Sequence, residues 1–158
     1  MKSLEAYIDE YSESHQNKTN ILIHKICVPV ILFSILGILK ALPVPVSWPL
    51  WCDWSILFLV SSFIYYSLFK NVRVFFALMF LVVPMVLLLE FLRPKFFLLS
   101  LSLFVVAWIG QFIGHKIEGK KPSFFKDLFF LFIGPIWTMN TLLAQIGIDL
   151  KINSAKEI

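Results

Sequence analysis

Charged residues are scarce in this chain. They make up 15 % of its 158 residues, against about 25 % in soluble proteins. Apolar residues reach 59 %, phenylalanine alone occurs 17 times, and the mean hydropathy is +0.83. A soluble domain of this size has too much surface for its volume to bury so many apolar side chains, and a disordered chain is far less hydrophobic. The composition predicts an integral membrane protein, in the endoplasmic reticulum of a eukaryote or the inner membrane of a bacterium.

Other scarcities exclude further classes of protein. Two cysteines are too few for a disulfide-stapled secreted scaffold. Three histidines are too few for the multi-histidine boxes of membrane desaturases. The sequence has no Gly-x-Ser-x-Gly turn of a serine hydrolase and no glycine-rich dinucleotide fingerprint. The net charge of +4 comes from basic residues scattered through short loops, and we therefore expect no nucleic-acid partner.

Long apolar segments divide the chain. A transmembrane helix needs about 20 apolar residues, and the five candidate segments are residues 26–42, 54–69, 72–92, 96–114 and 124–147. They predict an all-α fold, a polytopic bundle of four to five transmembrane helices in one integral membrane domain over residues 1–158. The last segment contains Gly134-Pro135, which leaves open whether it is a kinked span or two half-helices that do not cross fully.

The first 25 residues are polar and lack the basic start and cleavage site of a signal peptide. Within them, Leu4, Tyr7, Ile8 and Tyr11 share one face at helical spacing. Ser3 is a suitable N-cap residue. The pattern predicts an amphipathic helix that lies on the membrane surface or packs on the bundle, within a cytoplasmic N-terminal segment.

Basic residues indicate the orientation, since cytoplasmic loops are enriched in them. With four spans before residue 115, one side receives nine basic residues: Lys2, Lys18, Lys25, Lys70, Arg73, Lys116, Lys120, Lys121 and Lys126. The other receives Lys40, Arg93 and Lys95, plus Lys151 and Lys156 if the fifth segment crosses. This asymmetry predicts that the N-terminal segment and the loop after residue 114 face the cytoplasm together. Those two stretches contain every histidine of the chain.

The histidines lie in unusually polar surroundings. On one helix Gln111, His115 and Glu118 would share a face, being spaced i, i+4, i+7. His15 and His24 would point in opposite directions on an unbroken helix, so they can share a site only if the chain turns between them. The segment 17–20 holds suitable turn and N-cap residues.

Two interpretations of these histidines follow from the residues alone. The first is a metal site at the cytoplasmic membrane surface, since imidazole suits iron, zinc, copper or nickel and a three-histidine, one-carboxylate set leaves room for a substrate. The second is three interfacial histidines that hydrogen-bond loop backbone. The spacing does not decide between them, because His-x8-His is not a known ligand motif and a single His-x-x-Glu is common.

Two polar signatures resemble those of a known family. One runs from Tyr11 to Pro29 (YSESHQNKTNILIHKICVP), and the other from Gln111 to Pro122 (QFIGHKIEGKKP), followed by Gly134-Pro135. Together they resemble the 2-hydroxy fatty acid dioxygenases, small polytopic membrane proteins named for a fungal endoplasmic-reticulum enzyme of phytosphingosine breakdown. The resemblance extends over residues 7–145. Lys120-Lys121 departs from it mildly, since we expect arginine-like residues before the proline.

The resemblance implies Fe(II)-dependent α-oxidation of a long-chain 2-hydroxy fatty acid by O2, in contact with membrane lipid. It implies His15, His24 and His115 as metal ligands. Glu118, three residues after His115, is our own candidate for a fourth ligand or an outer partner. Among these residues His115 and Glu118 would also be catalytic. Side chains that would bind the substrate carboxylate are Asn17, Asn20, Gln111, Lys120 and Lys121. The alternative hypothesis is a non-catalytic lipid-binding scaffold or a small transporter, which would not need iron and would tolerate replacement of the histidines.

Overall fold

The structure, a computed structural model, describes residues 2–49, 51–92, 96–119 and 124–152. All the elements in this part of the chain are helices, which confirms the all-α prediction. They are α1 (Leu4–Ser12), α2 (Lys18–Ala41), α3 (Trp54–Ser67), α4 (Val72–Phe91), α5 (Phe96–Glu118) and α6 (Phe124–Gln145). Helix α6 is a single helix that continues through Pro135.

Helix α1 begins at the predicted cap. The Ser3 hydroxyl accepts a hydrogen bond from the amide of Ala6 at 3.2 Å, which satisfies one of the free donors of the first turn. Leu4, Ile8 and Tyr11 are buried, and the helix packs against α6. Their spacing therefore places this face of α1 against the other helices.

Helix α2 begins at Lys18, well before the apolar run that starts near residue 26. The cause is Asn17, whose side-chain oxygen accepts from the amides of Thr19 at 2.9 Å and Asn20 at 3.4 Å. This N-cap starts the helix inside a polar stretch. As a result His24 lies on a helix, whereas His15 lies in the turn between α1 and α2.

Helices α2 to α5 alternate in direction. Lys40, at the end of α2, forms ion pairs with Asp53 before α3 at 2.8 Å and with Glu90 near the end of α4 at 2.5 Å. We call the end of the bundle where these ion pairs lie the far end. Phe69 lies between α3 and α4 at the opposite end of the bundle, and its ring packs edge-on to the ring of Tyr7. The chain thus crosses the bundle on α2, returns on α3, crosses again on α4 and returns on α5, which brings His115 close to His15.

The ion cluster at the far end favours the charged form of Asp53. The Lys40 side chain is only 8 % exposed and lies between two carboxylates. Burial alone would raise the pKa of Asp53, but hydrogen bonds from Lys40 and Ser55 outweigh it, and the pKa is lowered. The pairing ties the ends of α2 and α4 to the start of α3.

Among the residues that the structure describes, three helices are long and apolar enough to cross a membrane: Lys18–Ala41, Val72–Phe91 and Phe97–Glu118. Helix α3 is apolar but has only 14 residues, or about 21 Å at 1.5 Å per residue. Large apolar side chains cover the outside of the bundle, including Phe80 at 74 % exposed and Phe91 at 84 %. Such a surface is typical of a protein solvated by lipid.

Helices α2 and α5 approach each other very closely at glycines. A Cβ on Gly37 would overlap the Ser100 hydroxyl and lie 2.9 Å from the Ser100 Cβ. Near the other end of the pair, a Cβ on Gly114 would overlap the Asn20 side-chain oxygen and lie 3.2 Å from the His24 ring. Small residues permit this backbone approach in membrane helix pairs. The close approach of the two backbones brings α5 against the polar start of α2.

We expect Gly37→Ala to lower the free energy of unfolding by about 1–3 kcal/mol, because the added methyl overpacks a helix interface. Adding Ser100→Gly should recover most of this loss, since it removes the two nearest of the atoms that the methyl meets. Thermal denaturation of the detergent-solubilised protein measures both effects, with Ser100→Gly alone as the control. Equal loss in the single and double variants would contradict the close approach.

Candidate metal centre

The three histidines converge although they come from three different segments. His15 lies in the α1–α2 turn, His24 on α2 and His115 on the last turn of α5. One ring nitrogen from each lies within 4.8 Å of the others. The residues are only 2 %, 1 % and 8 % exposed. Three buried imidazoles at this separation form a group that could hold a metal ion.

The hydrogen bonds of two rings suit metal binding. The Nδ1 of His15 lies 2.6 Å from the carbonyl oxygen of Tyr11, and the Nδ1 of His24 lies 3.0 Å from that of Asn20. A carbonyl only accepts, so each Nδ1 carries the proton and each Nε2 carries the lone pair. Metal-binding histidines are generally held in this way, with the second ring nitrogen donating to a fixed acceptor. The residues present therefore fit a metal ion.

Aromatic side chains fix the ring of His15. Tyr11 stacks on it with the ring centroids 4.2 Å apart and the planes 5° from parallel. Trp137 of α6 lies 5.2 Å from it, and the Trp137 indole donates a buried hydrogen bond to the Ser12 hydroxyl at 3.0 Å. These contacts hold the turn between α1 and α2 in place, although a turn is usually more mobile than a helix.

Glu118 joins the start of α2 to the end of α5. Its carboxylate accepts hydrogen bonds from the amide of Gln16 at 2.9 Å, the amide of Asn17 at 3.0 Å and the side-chain amide of Asn20 at 2.9 Å. Both carboxylate oxygens accept hydrogen bonds, and Glu118 is not among the side chains whose possible ligand atoms lie within 4.8 Å of one another. The geometry indicates that it positions the segment bearing His15 relative to His115.

Of the side chains predicted to bind substrate, some line the cavity beside the histidines and others do not. Gln111 lines the cavity beside the histidines. Asn17 caps α2, and Asn20 donates to the carboxylate of Glu118 and to the carbonyl of Ser14 at 3.2 Å, so both make hydrogen bonds within the protein. Lys120 and Lys121 lie outside the described residues.

A cavity of about 40 Å³ adjoins the three histidines, enough for a metal ion and about two waters. Besides the histidines, its walls are formed by Tyr11, Val28, Ile31, Trp108, Gln111 and Leu131. Val28 and Ile31 follow His24 on the same face of α2. The cavity is thus polar at the histidines and apolar toward the middle of the bundle.

Sequence reasoning missed four residues of this site. Tyr11, Trp108 and Trp137 were not distinguished from other aromatic residues, and Gly114 was not singled out for close packing. Only Tyr11 carries a local signal, since it lies four residues before His15. The contacts of Trp108 and Trp137 depend on how α5 and α6 are rotated.

Comparison with known proteins identifies the family of the chain. The family model described as "2-hydroxy-palmitic acid dioxygenase Mpo1-like" matches residues 1–146. The 2-hydroxy-palmitic acid dioxygenase MPO1 of Saccharomyces cerevisiae is 30 % identical over 156 residues, which cover 98 % of this chain and 87 % of the yeast protein. No solved structure matches the chain. The match extends over both polar signatures and all three histidines, and the chain belongs to the Mpo1-like family.

Proposed function

We propose that this protein is an Fe(II)-dependent dioxygenase that converts a long-chain 2-hydroxy fatty acid to the acid one carbon shorter and CO2. The observation that carries the proposal is the buried group of His15, His24 and His115 in a chain of the Mpo1-like family. The name of the yeast relative supports a 2-hydroxy fatty acid as the substrate class.

The donor set and the reaction together favour iron. Imidazole binds iron, zinc, copper and nickel, so the ligands alone do not select the metal. Bound Fe(II) would supply O2 activation and a Lewis acid that the substrate hydroxyl and carboxylate chelate together. His15, His24 and His115 would hold it, and the Tyr11 and Asn20 carbonyls keep the first two rings in the tautomer that binds metal.

The overall reaction balances without an external reductant. A 2-hydroxy acid and O2 give the shortened acid, CO2 and water, and the substrate supplies all the electrons that reduce O2. We therefore expect no requirement for NADPH or coenzyme A. The chain's own contribution is to bind and orient the carboxyl end of the substrate and to exclude bulk water from it.

The cavity accommodates the reacting end of the substrate and not its tail. Its 40 Å³ is far below the ~300–1,000 Å³ of a typical small-molecule pocket. Val28, Ile31 and Leu131 offer an apolar wall to the first methylene groups beyond the carboxyl end. The rest of the acyl chain would extend toward the lipid around the helices, which explains why such an enzyme is embedded in a membrane.

For the membrane arrangement we infer four crossings, with α3 as the short fourth span, and the three histidines at the cytoplasmic side. The alternation of α2 to α5 supports this count. Hydrogen bonds from Asn71 to the Leu150 carbonyl at 3.1 Å and from Arg73 to the Asp149 carbonyl at 2.7 Å place the segment after α6 at the histidine end. Lys151 then adds to the basic residues of that side, which strengthens the cytoplasmic assignment.

The purified protein, supplied with Fe(II) and O2, should convert carboxyl-labelled 2-hydroxy-palmitic acid to labelled CO2 and the acid one carbon shorter. Palmitic acid should be inert, because it lacks the hydroxyl that completes the chelate. Short 2-hydroxy acids should bind more weakly, by about 0.8 kcal/mol per methylene lost. Mass spectrometry of the product, with and without an iron chelator, measures the reaction.

Two outcomes would contradict the proposal. Turnover that persists after chelation would exclude the iron-dependent reaction. Absence of turnover on every chain length, in protein shown to contain iron, would exclude the substrate class and favour a lipid-binding scaffold.

A further inference from the structure

Trp108 lines the cavity that adjoins the three histidines, and its side chain carries an unused hydrogen-bond donor. The indole N–H is buried without an acceptor in the part of the chain that the structure describes. Trp108, Gln111 and His115 lie at i, i+3, i+7 on α5 and all line this cavity. A buried donor of this kind calls for an explanation, since buried polar groups nearly always have partners.

The chemistry of the cavity identifies the partner. An indole N–H donates and never accepts, so its partner must be an acceptor. A carboxylate is an acceptor with several lone pairs, and it is stronger than a neutral carbonyl. Val28, Ile31 and Leu131 on the apolar side of the same cavity favour an alkyl chain attached to that acceptor. Together these walls fit the carboxylate end of a fatty acid.

We propose that the indole N–H of Trp108 donates a hydrogen bond to the carboxylate of the bound fatty acid. The proposal rests on the substrate class proposed above and adds to it a residue that recognises the acid group. The bond would fix the carboxyl end beside the histidines and would select a free acid over an ester or an alcohol of the same chain length.

The environment of Trp108 allows the donor to be removed alone. Its ring packs against Phe104 with centroids 6.1 Å apart and against Phe112 at 5.8 Å. Phenylalanine retains an aromatic ring for these contacts and lacks the N–H. Trp54→Phe is a matched control, because the Trp54 indole donates to the Pro43 carbonyl at 2.9 Å at the start of α3, which lies away from the histidines.

The test measures binding of radiolabelled palmitic acid and of its methyl ester to the full-length protein in lipid nanodiscs, corrected with empty nanodiscs. Wild-type protein should prefer the acid, and Trp108→Phe should weaken acid binding about tenfold, the order expected when a hydrogen bond to a charged group is lost. Ester binding should fall clearly less in Trp108→Phe, because the neutral ester carbonyl is a weaker acceptor than a carboxylate, and both ligands should bind Trp54→Phe normally. In turnover of 2-hydroxy-palmitic acid, KM should rise about tenfold with a smaller change in kcat.

Equal loss of acid and ester binding in Trp108→Phe would overturn the proposal, because it would indicate a packing role. Undiminished acid binding, or a wild-type protein without preference for the acid, would overturn it as well. The binding measurement needs no turnover. A protein that binds the acid through Trp108 and fails to oxidise any 2-hydroxy acid would therefore contradict the proposed reaction and leave this inference standing.

Discussion

Single replacement of His15, His24 or His115 by alanine should abolish iron binding and turnover. Each replacement removes one of only three close nitrogen donors. The loss of metal affinity should exceed the ~10–100-fold that removal of an outer hydrogen-bond partner costs. The length and hydropathy that would allow three helices to cross a membrane come from their apolar residues and not from the histidines, so insertion and helix content should persist.

Metal analysis of the purified variants, together with circular dichroism, measures both effects. Lys25→Ala is the matched control, because it changes the neighbour of His24 without removing a nitrogen from the group. A titration with Co(II), followed by visible absorption, reports ligand loss in protein that is already folded. Full iron occupancy in all three variants would show that the ligand assignment is wrong.

Replacing Glu118 by alanine should weaken metal binding by about 10–100-fold, the range for residues that hold ligands in place. The variant loses three hydrogen bonds that join the start of α2 to the end of α5. It should also lower the free energy of unfolding by about 2 kcal/mol, since hydrogen bonds to a charged group contribute more than neutral ones. Glu118→Gln should be intermediate, because an amide has one accepting oxygen instead of two.

The spectrum of bound Co(II) separates a positioning role from a ligand role. If Glu118 positions the α1–α2 turn, the Glu118→Gln variant at saturating Co(II) should show the wild-type spectrum, only at higher metal concentration. Glu5→Ala, which removes an exposed carboxylate from the first turn of α1, should leave both affinity and spectrum unchanged. A changed spectrum at saturation would instead make Glu118 a direct ligand.

The class of the protein was readable from the sequence because composition and hydropathy are sums over the chain. An apolar content of 59 % requires a nonpolar solvent wherever the residues end up. Helix positions were also largely local: the long apolar runs and the cap residues Ser3 and Asn17 act within one turn of the backbone. The helix start at Lys18 was missed because the apolar run, and not the cap, was used to place it.

The site itself was only partly readable. Its histidines stood out by their rarity and their polar neighbours, and family resemblance carried their joint role. The hydrogen bonds that Glu118 accepts from the amides of Gln16 and Asn17 were not readable. Nothing in the sequence around Glu118 distinguishes a carboxylate that binds a metal from one that accepts hydrogen bonds from backbone amides. The hydrogen bond from Asn20 to Glu118 was not readable either, since the two residues lie 98 positions apart in the chain.

By itself the sequence determined an all-α protein rich in apolar helices, the approximate positions of those helices, and the residues capable of binding a metal, because each depends on composition or on neighbours within a few residues. Only the tertiary structure decided that those histidines meet, that Glu118 joins two helix ends, and that Trp137 and Trp108 border the site. These facts depend on the rotation and depth of one helix against another. They are set by close contacts such as those at Gly37 and Gly114, between residues far apart in the chain, and no local pattern encodes them.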